Sequence, residues 1–171
     1  MKQSFFLLLL AVALFACKKE SQNDIEFRKS YSSWLSFKKT SGDHYKYDVE
    51  TSSWTGFASK TVIWVRNSKV IQRHYKVTQI GSTMYIPPSE MEWIENENEI
   101  NSHKNKGAAA ITLDEVYDKA QKDWLIRRDN TEITFEAKNN GMISTCGYRE
   151  LSCADDCFNG IKITRIQSMA D

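Results

Sequence analysis

The chain has 171 residues, 23 Lys and Arg against 22 Asp and Glu, and a formal net charge of +1. Such a balance supplies no overall field towards nucleic acid or anionic lipid, so a nucleic-acid partner is not expected. The seven glycines do not cluster, His44, His74 and His103 lie far apart, and no Gly-x-Ser-x-Gly elbow occurs; a phosphate-cradling loop, a paired-histidine metal centre and serine-hydrolase chemistry therefore have no foothold, and no cofactor is expected.

Lys2 precedes an apolar run, Phe5 to Phe15, that closes in Leu14-Phe15-Ala16-Cys17. A charged start, an apolar stretch of roughly 7–15 residues and a small residue at the cleavage position define a secretory signal, whereas a spanning helix needs about 20 apolar residues. A cysteine directly after the small residue resembles the lipobox of bacterial lipoproteins, although Phe15 departs from the small or β-branched residue usual at its place. Residues 1–16 are thus expected to be removed and Cys17 to be acylated, which anchors a chain firmly when two or more acyl chains are attached. The membrane, reached through Cys17, is the first expected partner. Lys18 stands where an aspartate would favour inner-membrane retention, so the outer membrane is the expected address. An ordinary secretory signal with a soluble product is the alternative.

Residues 17–24 read as a tether ending in the helix cap Asn23-Asp24, and 25–171 as one α+β domain. Phe27, Tyr31, Trp34, Leu35 and Lys38 repeat at helical spacing up to Ser41-Gly42. From Tyr45 the period becomes two, with Tyr45, Tyr47 and Val49 apolar, and a turn follows at Ser52 to Gly56. Thr61 to Arg66 is apolar on both faces and predicts a central strand. Asn67-Ser68-Lys69 turns it into a returning strand, Val70 to Val77, with Ile71, Tyr75 and Val77 on one side. Residues 79–111 form a long connection with a helical turn over Ser89 to Ile94, and Tyr85, Ile86, Trp93 and Ile94 argue that part of it packs.

The same order then recurs. Thr112-Leu-Asp-Glu115 fits a capping box, and Leu113, Val116, Tyr117, Ala120 and Trp124 form a helical stripe. Ile133 and Phe135 alternate in a strand, Asn139-Asn140-Gly141 is a turn, Met142 to Tyr148 pairs back, and Ile161 to Ile166 is the last strand. Two α-β-β-β units are expected to share one antiparallel sheet with both helices on one face; two small sheets side by side are the alternative.

With Cys17 acylated, Cys146, Cys153 and Cys157 remain, and an exported chain is expected to hold one disulfide involving Cys157, its mate being Cys153 or Cys146. Asp155, Asp156 and Asn159 offer hard oxygens and make a weak calcium candidate without EF-hand spacing. Trp34, Trp64 and Trp124 fall on apolar faces and are expected in the core. Trp54 and Phe57 flank the turn at Thr55-Gly56, where an exposed aromatic pair can serve as a recognition tip or fold back as a lid.

Tyr45-Lys-Tyr-Asp-Val-Glu, Trp54-Thr-Gly-Phe57, Val-Arg-Asn-Ser-Lys-Val70 and Ile111-Thr-Leu-Asp-Glu-Val-Tyr117 together resemble domain-of-unknown-function family 6174, over roughly Trp34 to Ile166. The resemblance implies a small secreted or lipid-anchored domain and carries no established activity or catalytic residue. This chain departs from the family pattern in Arg149 after Cys146-Gly-Tyr148 and in the added Cys153-Ala-Asp-Asp-Cys157. The expected function is a non-enzymatic, lipid-anchored envelope module that binds an envelope protein or other component through its hairpin tip or open sheet face. A secreted inhibitor of a hydrolase, and an enzyme whose site is assembled from His74, Asp155 and Asp156, are the alternatives.

Overall fold

The computed structural model describes residues 22–82, 84–104, 106–155 and 157–169; the signal segment, Cys17 and Asp156 lie outside the described residues. Helix α1 spans Gln22–Thr40, so Asn23 and Asp24 sit in its first turn and are neither tether nor cap. Its buried stripe also differs from the expected one. Ser30 and Trp34 are buried and Phe37 packs against the core, while Tyr31 and Leu35 are 41% and 47% exposed. The polar Ser30 is hidden because its hydroxyl lies 2.8 Å from the Tyr117 hydroxyl, which offsets the cost of burying it.

Strands β1 (His44–Ser52), β2 (Ala58–Arg66) and β3 (Lys69–Gln79) form the expected meander. Asn67 and Ser68 take φ of 50° and 57°, the mirror-image turn whose twist matches a two-residue hairpin. A single helical turn, α2 (Pro88–Met91), then leads into β4 (Glu92–Asn96). The expected helical turn over Ser89 to Ile94 is therefore half wrong: Trp93 and Glu95 alternate inwards against Ile94, and the segment pairs with β3. After a 3-10 turn at Glu97–Glu99 come α3 (Leu113–Lys119), β5 (Thr131–Glu136), β6 (Thr145–Glu150) and β7 (Asn159–Ser168). The capping box is formed, with Glu115 N–H donating to Thr112 Oγ1 at 3.2 Å and Thr112 N–H to Glu115 Oε2 at 2.7 Å.

All seven strands join one antiparallel sheet in the order β4-β3-β2-β1-β7-β6-β5. The two α-β-β-β units meet where β1 pairs with β7. Because β4 occupies the outer edge of β3, β1 offers the first meander's remaining edge to the second. Both helices pack on one face: Trp34, Val116 and Tyr117 bury against Tyr45, Tyr47, Ile63, Ile143 and Ile163. Trp34 Nε1 donates to Asp114 Oδ1 at 3.0 Å, which ties the helices together.

The opposite face is dressed with ion pairs, among them Asp48 with Lys60 at 3.1 Å and Arg165 at 2.8 Å. Trp64 lies on this face rather than in the core, stacked on His74 and capped by Lys46 at 5.8 Å. Apolarity on both faces of β2 thus marked its central position correctly, yet its second face stays outside the helix layer. Among the described residues, no helix is long and apolar enough to cross a membrane.

Candidate functional site

Two surfaces and one buried clamp emerge from this frame. The first surface is the β1–β2 tip. Ser53 N–H donates to Phe57 O at 2.9 Å and Gly56 N–H to Ser53 O at 3.1 Å, closing a turn that needs Gly56 at φ 81°. Trp54 points outward and is 74% exposed, whereas Phe57 turns inward onto Tyr75, Val77 and Trp93. The expected aromatic pair is therefore split into one anchor and one prop. The segment after β3 backs the turn so closely that a Cβ on Gly81 would collide with Thr55 O. Ile80 adjoins that contact and Met84 N–H donates to Gly81 O at 3.0 Å; both are partly exposed, as is Tyr85 next in the chain at 83%.

The second surface is a cleft of about 530 Å³ where the end of β1 and the start of β7, unpaired beyond Val49 and Ile163, leave a gap in the sheet, within the size range of small-molecule sites. One wall is the end of α3, which continues into a π-helical turn, Ala120–Trp124, where Leu125 N–H reaches back to Ala120 O at 2.9 Å. Such turns re-aim side chains and recur at functional sites; here the turn sets Trp124 into the cleft. Tyr148, Ile161 and a wall of residues 107–109 and 111 line it on the helix side, and Phe158 and Lys162 line it on the opposite face.

Phe158 is seated by its neighbours in sequence. Gly147 and Gly160 face each other across β6 and β7, and a Cβ on either would lie 2.5 Å or 2.8 Å from Phe158 Cζ. The ring therefore covers the glycine pair, as aromatic residues do where a sheet lacks side chains. Cys153 and Cys157 are bridged, with Cα atoms 6.2 Å apart, and the bridge closes the loop immediately before Phe158. Cys146 is free and buried, and burial pushes its thiol up to about 12.

Asp156, one of the three calcium candidates, lies outside the described residues, and the other two, Asp155 and Asn159, are tied into the loop. Asp155 O accepts from Cys157 N–H at 2.8 Å, and the Asn159 amide donates to Cys157 O at 3.3 Å. No cluster of metal-ligating side chains occurs among the described residues. His74 sits on β3 with Nε2 2.8 Å from Glu92 Oε1, separated from the β6–β7 loop by β2, β1 and β7, so His74 and Asp155 are not brought together.

The clamp was not foreseen. Arg73, between Ile71 and Tyr75 on the inward side of β3, is 3% exposed and bonds Glu95 twice at 2.9 Å. Glu95 is fully buried and also accepts from the N–H groups of Asn101 at 2.8 Å and His103 at 2.6 Å. Burial alone would raise its carboxyl, but the Arg73 hydrogen bonds and these two N–H groups outweigh that and hold it at about 2. His103 stacks on Trp93 at 4.3 Å, and Arg73 Nη1 donates to Ala108 O at 3.0 Å. Together with the Tyr47 hydroxyl, which donates to Ile111 O, the clamp holds the 107–111 wall of the cleft in place. The available signal was the pairing of an inward Arg with an inward Glu on neighbouring strands, visible only once the register of β4 is known.

Compared with protein-family models, with curated proteins and with solved structures, the chain matches none.

Proposed function

We propose that the protein is a lipoprotein of the bacterial cell envelope, anchored in the outer membrane through acylated Cys17, and that it acts as a non-enzymatic binding module whose apolar tip engages an envelope protein. The resemblance to family 6174 belongs to the same reading. The observation that carries it is the tip itself: Trp54 is 74% exposed on a turn that Gly81 backs, main chain against main chain, and Met84 and Tyr85, 40% and 83% exposed, follow that contact in the chain. A large aromatic anchor on a rigid support loses little entropy on binding and gives interfaces much of their energy.

Mass analysis of the membrane-extracted protein tests the anchor: a diacylated or triacylated peptide beginning at Cys17 is expected, and an unmodified soluble product would overturn it. For the tip, a photo-crosslinking residue replaces Trp54 in one variant and the comparably exposed Leu151 in another. A defined adduct from position 54 that disappears with Tyr85→Ala is expected. Adducts of equal yield from both positions, or none from position 54, would remove the tip as a recognition site.

A further inference from the structure

We infer that the cleft beneath Trp124 is a binding site for a small organic anion with an apolar body, separate from the tip. Its charges show a consistent division. Both carboxylates that line it are engaged by cations outside it: Glu50 by Lys60 at 3.4 Å, and Asp123 by Arg128. The two lining cations, Lys119 and Lys162, have no carboxylate partner among the described residues. Each instead rests over an aromatic ring at the mouth of the cleft, Lys119 Nζ 5.8 Å from the Trp124 centroid on the helix side and Lys162 Nζ 5.4 Å from the Phe158 centroid on the opposite face, so the two flank the gap between β1 and β7.

An ammonium over a ring at an exposed site is held weakly, so it can swing to an incoming anion at little cost. The rings of Trp124 and Phe158 and the side chain of Ile161 then remain for the apolar part of the ligand, while the Tyr148 ring keeps the Arg128 guanidinium over it at 4.2 Å. Two free cations, aromatic and aliphatic walls and engaged carboxylates select for a negative head on an apolar body, and against a cation or a purely polar sugar. The walls are preorganised by three independent devices. The π-helical turn aims Trp124, the Cys153–Cys157 bridge and the glycine pair seat Phe158, and the Arg73–Glu95 clamp fixes the 107–111 wall. A site whose walls are already ordered avoids much of the entropic cost of binding.

The test uses the purified full chain and three water-soluble probes in isothermal titration calorimetry: naphthalene-1-sulfonate, octane-1-sulfonate and neutral 1-naphthol. At least one sulfonate is expected to bind one to one, with a change in tryptophan emission from Trp124. Whether ring or chain binds more tightly identifies the apolar body. The Lys119→Ala/Lys162→Ala double variant is expected to weaken the bound sulfonate about tenfold, as loss of two exposed charge contacts would, and to leave 1-naphthol unchanged. No saturable binding of either sulfonate, an unchanged affinity in the double variant, or equal losses for the sulfonate and 1-naphthol would overturn the inference. Because Trp54→Ala leaves the cleft intact, a normal titration in that variant separates failure of the tip from failure of the cleft.

Discussion

Glu95→Gln tests whether the Arg73–Glu95 clamp holds both the fold and the cleft. The substitution keeps shape and removes charge, leaving the Arg73 guanidinium buried without a counter-ion and turning an amide NH2 towards groups that already donate. Breaking one side of a buried pair costs roughly 3–5 kcal/mol. An independent figure comes from proton linkage. The carboxyl is lowered from 4.5 to about 2 in the folded chain, which corresponds to about 3 kcal/mol of stability. Since the folded value is the lower one, this contribution is complete above pH 4.5 and fades as pH falls towards 2; about 2 kcal/mol of it should be gone by pH 3. Urea unfolding at pH 7 and pH 3 measures both free energies, and thermal unfolding at pH 7 gives the Tm. Glu95→Gln should unfold with a Tm roughly 6–20 °C below that of the wild type at pH 7, and should lack the Glu95 share of the acid loss. The Arg73→Met/Glu95→Leu double variant, which replaces the pair by apolar groups, should regain much of the stability. Sulfonate binding should also weaken in Glu95→Gln, because Arg73 no longer holds Ala108 firmly. A Glu95→Gln protein within 1 kcal/mol of wild type, or one with the same loss from pH 7 to pH 3, would refute the reasoning.

Two further expectations concern the cysteines. Cys146, buried and with its thiol pushed up to about 12, should resist maleimide in the native protein at pH 8 and be modified in denaturant; peptide mapping that finds native Cys146 labelled at the unfolded rate would contradict its placement. The Cys153→Ser/Cys157→Ser variant should lose about 2 kcal/mol in the chain-entropy account of a short loop, with faster hydrogen exchange at 147–160 as Phe158 loosens over Gly147 and Gly160. Unchanged exchange there would show that the glycine pair alone seats the ring.

How much of this was legible depended on whether a signal was local. Thr112 and Glu115 are three residues apart, and Asn67-Ser68 follows a strand directly, so the capping box and the hairpin could be read from neighbouring positions. The stripe Leu113, Val116, Tyr117, Ala120 and Trp124 is buried as its period requires. By contrast, Ser30 entered the core through a hydroxyl 87 residues away, which turned α1 away from the stripe through Leu35. Glu95 is buried only because Arg73 stands opposite it on β3, and the strand that carries Glu95 overlaps the expected helical turn over Ser89 to Ile94. Trp64 matched a core tryptophan in type, but the helices cover the other face of β2.

The amino-acid sequence by itself therefore determined the order of elements within the two α-β-β-β units, the class, the Asn67-Ser68 turn and the cap, because each depends on contacts within a few residues. Only the tertiary structure decided which face the helices cover, where β4 and β7 dock, and that Cys153 bridges Cys157 while Cys146 stays buried and free. The clamp and the cleft belong to the same class: they join side chains from strands, a π-helical turn and a connection distant in sequence, and their energies arise from burial and pairing that no local period records.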